Sequence, residues 1–315
     1  MLLIFGRVFG IFSLILVGYI TYRLGVFGKD AKDSLTKLLL YITAPCMAAY
    51  SIYSKDLSSR LIESTVQVLI VNSLYYAVGV LVAYLIVKYF KFEPREQWGV
   101  YIAAMIATNN GFMGFPVTQA IFGDDIFYLL VMINIPTCIF FYGIMPMVLN
   151  IGRNREKSSL KSNLKSMINP AMIGITVGVL FMLMQYRPPE AINSIVKYLS
   201  DATIPISMII VGVQLGDSNL KEIIKDKYVN LTSIVRMFII PVITFLSVHF
   251  LPMLNNEVKL ITVFSSIFPT AVVTAAISVQ QKIEGNKAAE IVSITTVISL
   301  ATIPLFAALL TYFYL

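Results

Sequence analysis

Ten apolar runs, each close to the length of a membrane-crossing helix, occupy nearly the whole of this chain, near residues 2–22, 35–53, 62–87, 99–122, 126–149, 168–185, 195–216, 229–251, 258–280 and 289–313. A bilayer core about 30 Å thick takes roughly 20 apolar residues per helical span. Inside it no water is present to bond peptide groups, so each run must fold as a helix whose backbone satisfies itself. Hydrophobic residues make up 57% of the 315 and charged residues only 13%, a balance that excludes a water-soluble domain of this size. The expected fold class is an all-α integral membrane protein, one transmembrane domain over residues 1–315.

The formal charge of +7 is unevenly distributed. With ten spans the loops alternate sides, and sixteen Lys and Arg fall on one side against six on the other, with Lys37 and Arg236 inside spans. The richer side is cytoplasmic by the positive-inside rule, which places both termini outside and residues 150–167 in the cytoplasm. The positive charge is thus explained by topology, and no nucleic-acid partner is expected. The segment NIGRNREKSSLKSNLKS is too short and polar to fold alone, and is expected as a solvated loop between two halves. No basic segment precedes the first apolar run, so that helix is expected to be retained. Cys46 and Cys138 both fall within spans, as small apolar fillers. The sequence offers no metal-ligand cluster, nucleotide loop or nucleophile constellation, and implies no cofactor.

A weak internal repeat organises the runs. Shifted by 160 residues, SLTKLLLYITAP (Ser34 to Pro45) matches SIVKYLSDATIP (Ser194 to Pro205) at five of twelve positions, and Val17-Gly18 falls on Val177-Gly178. The halves, about 1–149 and 168–315, then hold five helices each. Because five is odd, the second half enters the membrane from the opposite side, giving an inverted five-plus-five repeat, the architecture of transporters with a midplane site.

The fourth run carries TNNGFMGFPV, residues 108–117: two amides, two glycines and a proline where hydrocarbon is expected. Proline lacks an N–H and its ring crowds the preceding turn, while Gly111 and Gly114 permit unwinding or close approach. Helix 4 is therefore expected to break near Pro116. In the second half, helix 9 carries Pro269 with Ser265, Ser266 and Thr270 beside it, so a matching break is expected there. Paired broken helices present N-termini with unsatisfied N–H groups, which suit a carboxylate, and C-termini with free carbonyls. Asn109 and Asn110 add donors and acceptors without permanent charge.

The stretch Asn109-Asn110-Gly111-Phe112-Met113-Gly114-Phe115-Pro116 resembles the Asn-Thr-x-x-Met-Gly-x-Pro helix of the auxin efflux carrier family, which comprises plant PIN transporters and many bacterial members. Asn169-Pro170, Ile204-Pro205 to Gly212, Arg236 with Pro241, and Phe268-Pro269-Thr270-Ala271 extend the resemblance over nearly the whole chain. It implies the fold of bile-acid sodium symporters, with helices 4 and 9 crossing as broken rods, an anionic substrate near the crossing, Asn109 in contact with it, and a homodimer. Asn110 stands where the family commonly has threonine, and the loop after helix 5 lacks the long insert of plant members, so plant-type substrate and regulation do not carry over.

The candidate substrate-binding residues are thus Asn109, Asn110, Gly111, Pro116, Ser266, Pro269 and Thr270. Arg236 is a candidate counter-charge for a carboxylate, or else snorkels to the cytoplasmic surface. Asp201 is either one half of a local pair with Lys197 or a proton-carrying carboxylate. His249 is expected at an interface. With no carboxylate beside the helix 9 break, sodium coupling is disfavoured. The expected function is secondary transport of small organic anions, auxin- or malate-like carboxylates, across the cell membrane by alternating access. Two alternatives are an integral membrane enzyme acting on lipids and a ligand sensor on a transporter fold.

Overall fold

The computed structural model describes residues 2–27, 29–153, 169–218, 223–281, 283 and 286–315, and among these every regular element is helical. In chain order, α1 spans Leu2–Arg23, α2 Lys29–Leu38, α3 Ala44–Tyr53, α4 Ser59–Tyr89, α5 Trp98–Ile106, α6 Phe115–Cys138 and α7 Met145–Val148. There follow α8 Pro170–Leu183, α9 Glu190–Asp217, α10 Lys227–Ile234, α11 Ile240–His249, α12 Asn256–Ser266, α13 Val272–Gln280 and α14 Asn286–Tyr314. The connection expected as a solvated loop lies outside the described residues from residue 154 onward.

Four π-helical turns, Leu39–Thr43, Asn110–Gly114, Ile139–Ile144 and Val235–Ile239, each end two residues before a proline: Pro45, Pro116, Pro146 and Pro241. A proline ring collides with the carbonyl four residues back, and a widened turn carries the chain past that collision without ending the helix. Pro116 therefore does not break helix 4, contrary to expectation. The break lies upstream, at 107–109, where Ala107 turns to extended geometry (φ −67°, ψ 111°) after α5. Thr108, Asn109 and Asn110 are weak helix formers whose short polar side chains compete for backbone bonds. Helix 9 breaks where expected, between α12 and α13, with Pro269 in the gap. Phe268 precedes that proline and is pushed out of the helical region by its ring.

Among the described residues, six helical stretches are long and apolar enough to cross a membrane: Ala31–Tyr53, Ser59–Tyr89, Asn110–Val148, Glu190–Asp217, Lys227–His249 and Asn286–Tyr314. Phe9–Arg23 and Pro170–Leu183 are shorter apolar helices. The fourth and fifth apolar runs appear as α5 followed by the Asn110–Val148 stretch. Gly123 interrupts that stretch at φ 79°, ψ −172°, a conformation open essentially to glycine alone, in the gap that separates the two runs. On α4, Ile62, Val66, Ile70, Leu74, Val78, Leu81 and Leu85 are all exposed, an apolar stripe at helical spacing on the outer face. Asn72, on the same helix, is buried and donates to Thr262 Oγ1 at 3.3 Å. Apolar outside and polar inside is the distribution a lipid solvent selects.

The chain forms two compact units. The first comprises Met1–Val68, Asn110–Asn134 and Ile168–Asp217; the second comprises Leu69–Asn109, Ile135–Met167 and Ser218–Leu315. The first unit is built on close helix crossings at glycine. A Cβ on Gly18 would lie 2.2 Å from the Ile209 carbonyl oxygen, and one on Gly212 would lie 2.0 Å from that of Ile15, so α1 and α9 touch backbone to backbone. Gly174 and Gly178 give α8 the same approach to Pro45 and Ala49 of α3. Tyr53 closes this region by donating to Asn193 Oδ1 at 2.8 Å. Cys46, half-buried in this unit, and Cys138, buried in α6, are both free thiols.

The second unit is centred on α5, whose residues from Gly99 to Ile106 are all buried, packed with Tyr76, Phe140, Val235, Ile240 and Ile291. Asp226 anchors its α10, accepting from the Tyr228 and Val229 N–H groups at 2.8 and 3.1 Å and from Lys287 Nζ at 2.8 Å. Burial alone pushes the Asp226 carboxyl up, but the Lys287 ammonium and the Val229 and Tyr228 N–H groups hold it below its ordinary 3.8. A lowered folded value means that the anchor is intact above that ordinary value and is lost as pH falls through the lowered one. Asp226→Asn should therefore reduce thermal stability at neutral pH and flatten its decline in acid, as measured by unfolding in detergent across pH. Gly212→Val should destabilise by about 1–3 kcal/mol through forced separation of α1 and α9. Gly10→Ala, where a Cβ meets open space inside α1, should not lower the melting temperature.

Candidate functional site

The two breaks meet within the second unit. Thr108 and Thr270 form an isolated antiparallel bridge: the Asn109 N–H donates to the Pro269 carbonyl and the Ala271 N–H to the Ala107 carbonyl, each at 3.0 Å. Four peptide groups that the breaks would otherwise leave unbonded are thereby satisfied, at a depth where each orphan costs several kcal/mol. Side chains complete the set. Thr270 Oγ1 donates to the Ala104 carbonyl at 2.8 Å, and the Thr270 N–H donates to Thr295 Oγ1 at 3.1 Å. The Tyr76 hydroxyl lies 3.1 Å from Thr108 Oγ1 and 2.9 Å from Thr137 Oγ1, with its ring stacked on Phe140 at 4.6 Å.

Arg236 is wholly buried on the π turn between α10 and α11. Its Nη1 donates to the Ser266 carbonyl at 2.7 Å and its Nη2 to the Phe268 carbonyl. It does not snorkel; the bond-making end of the side chain is turned into the second unit, onto the carbonyl end of α12. Both C-terminal half-helix ends are thus covered by protein donors: α5 by Thr270 and Ala271, α12 by Arg236. The expectation of free carbonyls there fails for that reason. By contrast, Ala271 at the head of α13 makes no side-chain cap bond.

Of the candidate residues, the second unit brings together Asn109, Ser266, Pro269, Thr270 and Arg236. Ser266 contributes its carbonyl, since its hydroxyl bonds back to the Val263 carbonyl at 2.6 Å. Asn110, Gly111 and Pro116 belong to the first unit, the chain passing from the second to the first between Asn109 and Asn110. There the π turn of Asn110–Gly114 packs on α9, and Phe112 on Leu39, Ala44 and Ile210. No close approach is made at Gly111, beside which a Cβ would meet open space. Asp201 forms an exposed i,i+4 pair with Lys197 at 2.8 Å. His249 stacks on Phe245 at 5.0 Å with Nδ1 3.2 Å from the Tyr314 hydroxyl. Among the described residues no group of three His, Cys, Asp or Glu could hold a metal ion.

A family model described as membrane transport protein matches residues 3–307. The chain belongs to this family, the auxin efflux carrier-like transporters. It is similar to an "Uncharacterized transporter" of Methanothermobacter thermautotrophicus, 24% identical over 303 residues that cover 96% of this chain and 97% of the relative. It is also similar to an "Uncharacterized transporter" of Methanocaldococcus jannaschii, 27% identical over 303 residues, covering 94% and 96%. Family membership and the apolar helices together make this a multi-pass membrane transport protein.

Thr108, Tyr76, Thr137 and Thr295 were not legible as parts of a transporter's crossing. Each is an ordinary polar residue in an apolar run, and only pairing across 25 to 61 residues reveals the bond it makes. Thr295→Val keeps the shape and removes the acceptor of the buried Thr270 N–H. It should lower stability by about 1–3 kcal/mol, whereas Thr311→Val, which loses only a bond to its own helix at Ala307, should change melting in detergent far less.

Proposed function

We propose that this chain is a secondary transporter of small organic anions, carboxylates above all, in the cell membrane, working by alternating access about the crossing of helices 4 and 9. The observation that carries the proposal is the charge balance at that crossing. The negative helix ends are covered by Arg236, Thr270 and Ala271, while the positive end at α13 has no side-chain cap. What remains for a guest is the N-terminal end of α13, whose partial positive charge suits a carboxylate. Asn109 lies beside the bridge within the second unit, so a ligand bonded to it meets the crossing directly.

The ten-helix inverted repeat belongs to the same proposal, as does a single transporter domain over 1–315. Two observations support it. The half-helices α5 and α12 end at Ile106 and Ser266, 160 residues apart, the shift that aligns the sequence repeat. Gly18 and Gly178, also 160 apart, both sit at backbone-close helix crossings. The charge bias favours both termini outside and residues 150–167 inside. A homodimer remains a proposal from family resemblance.

Moving one negative charge outward through a 100 mV inside-negative potential supplies about 2.3 kcal/mol, enough to drive efflux. Flux of candidate carboxylates should be measured in proteoliposomes, with voltage, pH and sodium varied separately. Voltage-sensitive carboxylate flux is expected. Transport of cations only contradicts the proposal, as does turnover of lipid without flux, or ligand-dependent stabilisation without flux. Asn109→Ala should abolish the flux while the backbone bridge at residue 109 stays intact, so the loss of flux should far exceed any loss of thermal stability. Equal loss of both would make Asn109 a packing residue.

A further inference from the structure

Arg236 holds a full charge where a neutral group would serve as a cap. Burying an ion costs several kcal/mol beyond what a neutral donor costs, and a carboxamide side chain could meet one or two carbonyls at less expense. The guanidinium is 0% exposed and bonded to the Ser266 and Phe268 carbonyls, and its Nε has no hydrogen-bond partner. No carboxylate lies within ion-pair distance of it among the described residues, and the ionisable side chains facing it, Tyr75 and Tyr76 of α4, are phenols. Among the described residues its charge is met by a helix end worth about half an elementary charge and by the neutral Tyr75 and Tyr76 phenols, with no full counter-charge.

The two carbonyls it holds are hard oxygen ligands at an interrupted helix, the groups that would otherwise be offered to a small cation such as sodium. Arginine keeps its proton, is tied to the chain and cannot leave with each turnover. We propose that Arg236 is a tethered cation that takes the place of a coupling ion at the carbonyl end of α12, making the crossing selective for anions without sodium. This rests on the organic-anion reading above and adds to it the residue that sets the sign of the charge. Arg236 acts through the half-helix it holds, so it is a positioning residue.

The test uses the full chain in proteoliposomes, with acetate, malonate, malate and indole acetate as probes, and sodium replaced by N-methylglucamine on both sides. Wild-type flux is expected to be unchanged by the replacement. In Arg236→Gln the half-saturating carboxylate concentration should rise about thirty-fold, the scale of losing one charge-assisted contact, and flux should become stimulated by sodium. Arg236→Lys retains the charge and should restore half-saturation to near the wild-type value even if turnover is slower, a rescue that a purely geometric cap does not give. An Arg236→Gln protein that is folded, with wild-type half-saturation and no response to sodium, overturns the inference and leaves the anion reading intact. If Arg236→Gln does not fold, the wild-type and Arg236→Lys arms decide: sodium-dependent wild-type flux, or a Lys variant whose half-saturation rises thirty-fold, overturns it. A wild-type protein that moves none of the probes removes the anion reading and this inference with it.

Discussion

The structure depends on one constraint: a peptide group in hydrocarbon must find its partner within the protein. Two helices that stop part-way through a bilayer expose several N–H and C=O groups each, and either break alone would be prohibitively unfavourable. Here the extended peptides of the two breaks bond each other through Thr108 and Thr270, and the remaining carbonyls are met by Thr270 Oγ1 and Arg236. The breaks are mutually required. The burial of α5 on all sides, the inward-turned hydroxyl of Tyr76 and the acceptor at Thr295 follow from that need.

The same bonds determine the electrostatics. A helix break is neutral overall, offering a positive end and a negative end, and by itself would favour neither cation nor anion. Donors are spent on the negative ends in this chain, including a guanidinium that has no acidic partner among the described residues. Asp226 and Lys287 secure the start of the helix that leads to that guanidinium, so the position of the charge is fixed from outside the bilayer as well as from within. Membership of a transport family is one line and the donor-covered helix ends of the crossing are another, and the proposal of an anionic substrate rests on the second.

Much of this was legible in the sequence wherever a residue's effect is local. Pro269 fixed the helix 9 break through its own ring, and Gly123 marked the gap between the fourth and fifth runs because only glycine adopts the φ of 79° found there. Pro116 misled because a proline can be absorbed by a π turn, and whether the turn widens or the helix ends depends on packing that one sequence does not display. Of the two readings of Arg236, snorkelling fails because the side chain is wholly buried, and its actual bonds could not be read from sequence. Its partners are backbone carbonyls 30 and 32 residues away, and a carbonyl leaves no signature in sequence. Thr108 and Thr295 were invisible as members of a site, since threonine in a membrane helix ordinarily bonds its own preceding turn, as Thr311 does.

The central claim is that a negatively charged guest is held against peptide groups at this crossing. Electron cryomicroscopy of the full chain in lipid nanodiscs, with and without a heavy-atom carboxylate such as 4-iodobenzoate, tests it most directly. The account predicts difference density within hydrogen-bonding reach of Asn109 and the first N–H groups of α13, from Val272 onward, competed away by an unlabelled carboxylate. Density confined elsewhere, or a crossing filled by acyl chains and unchanged by the ligand, would contradict it.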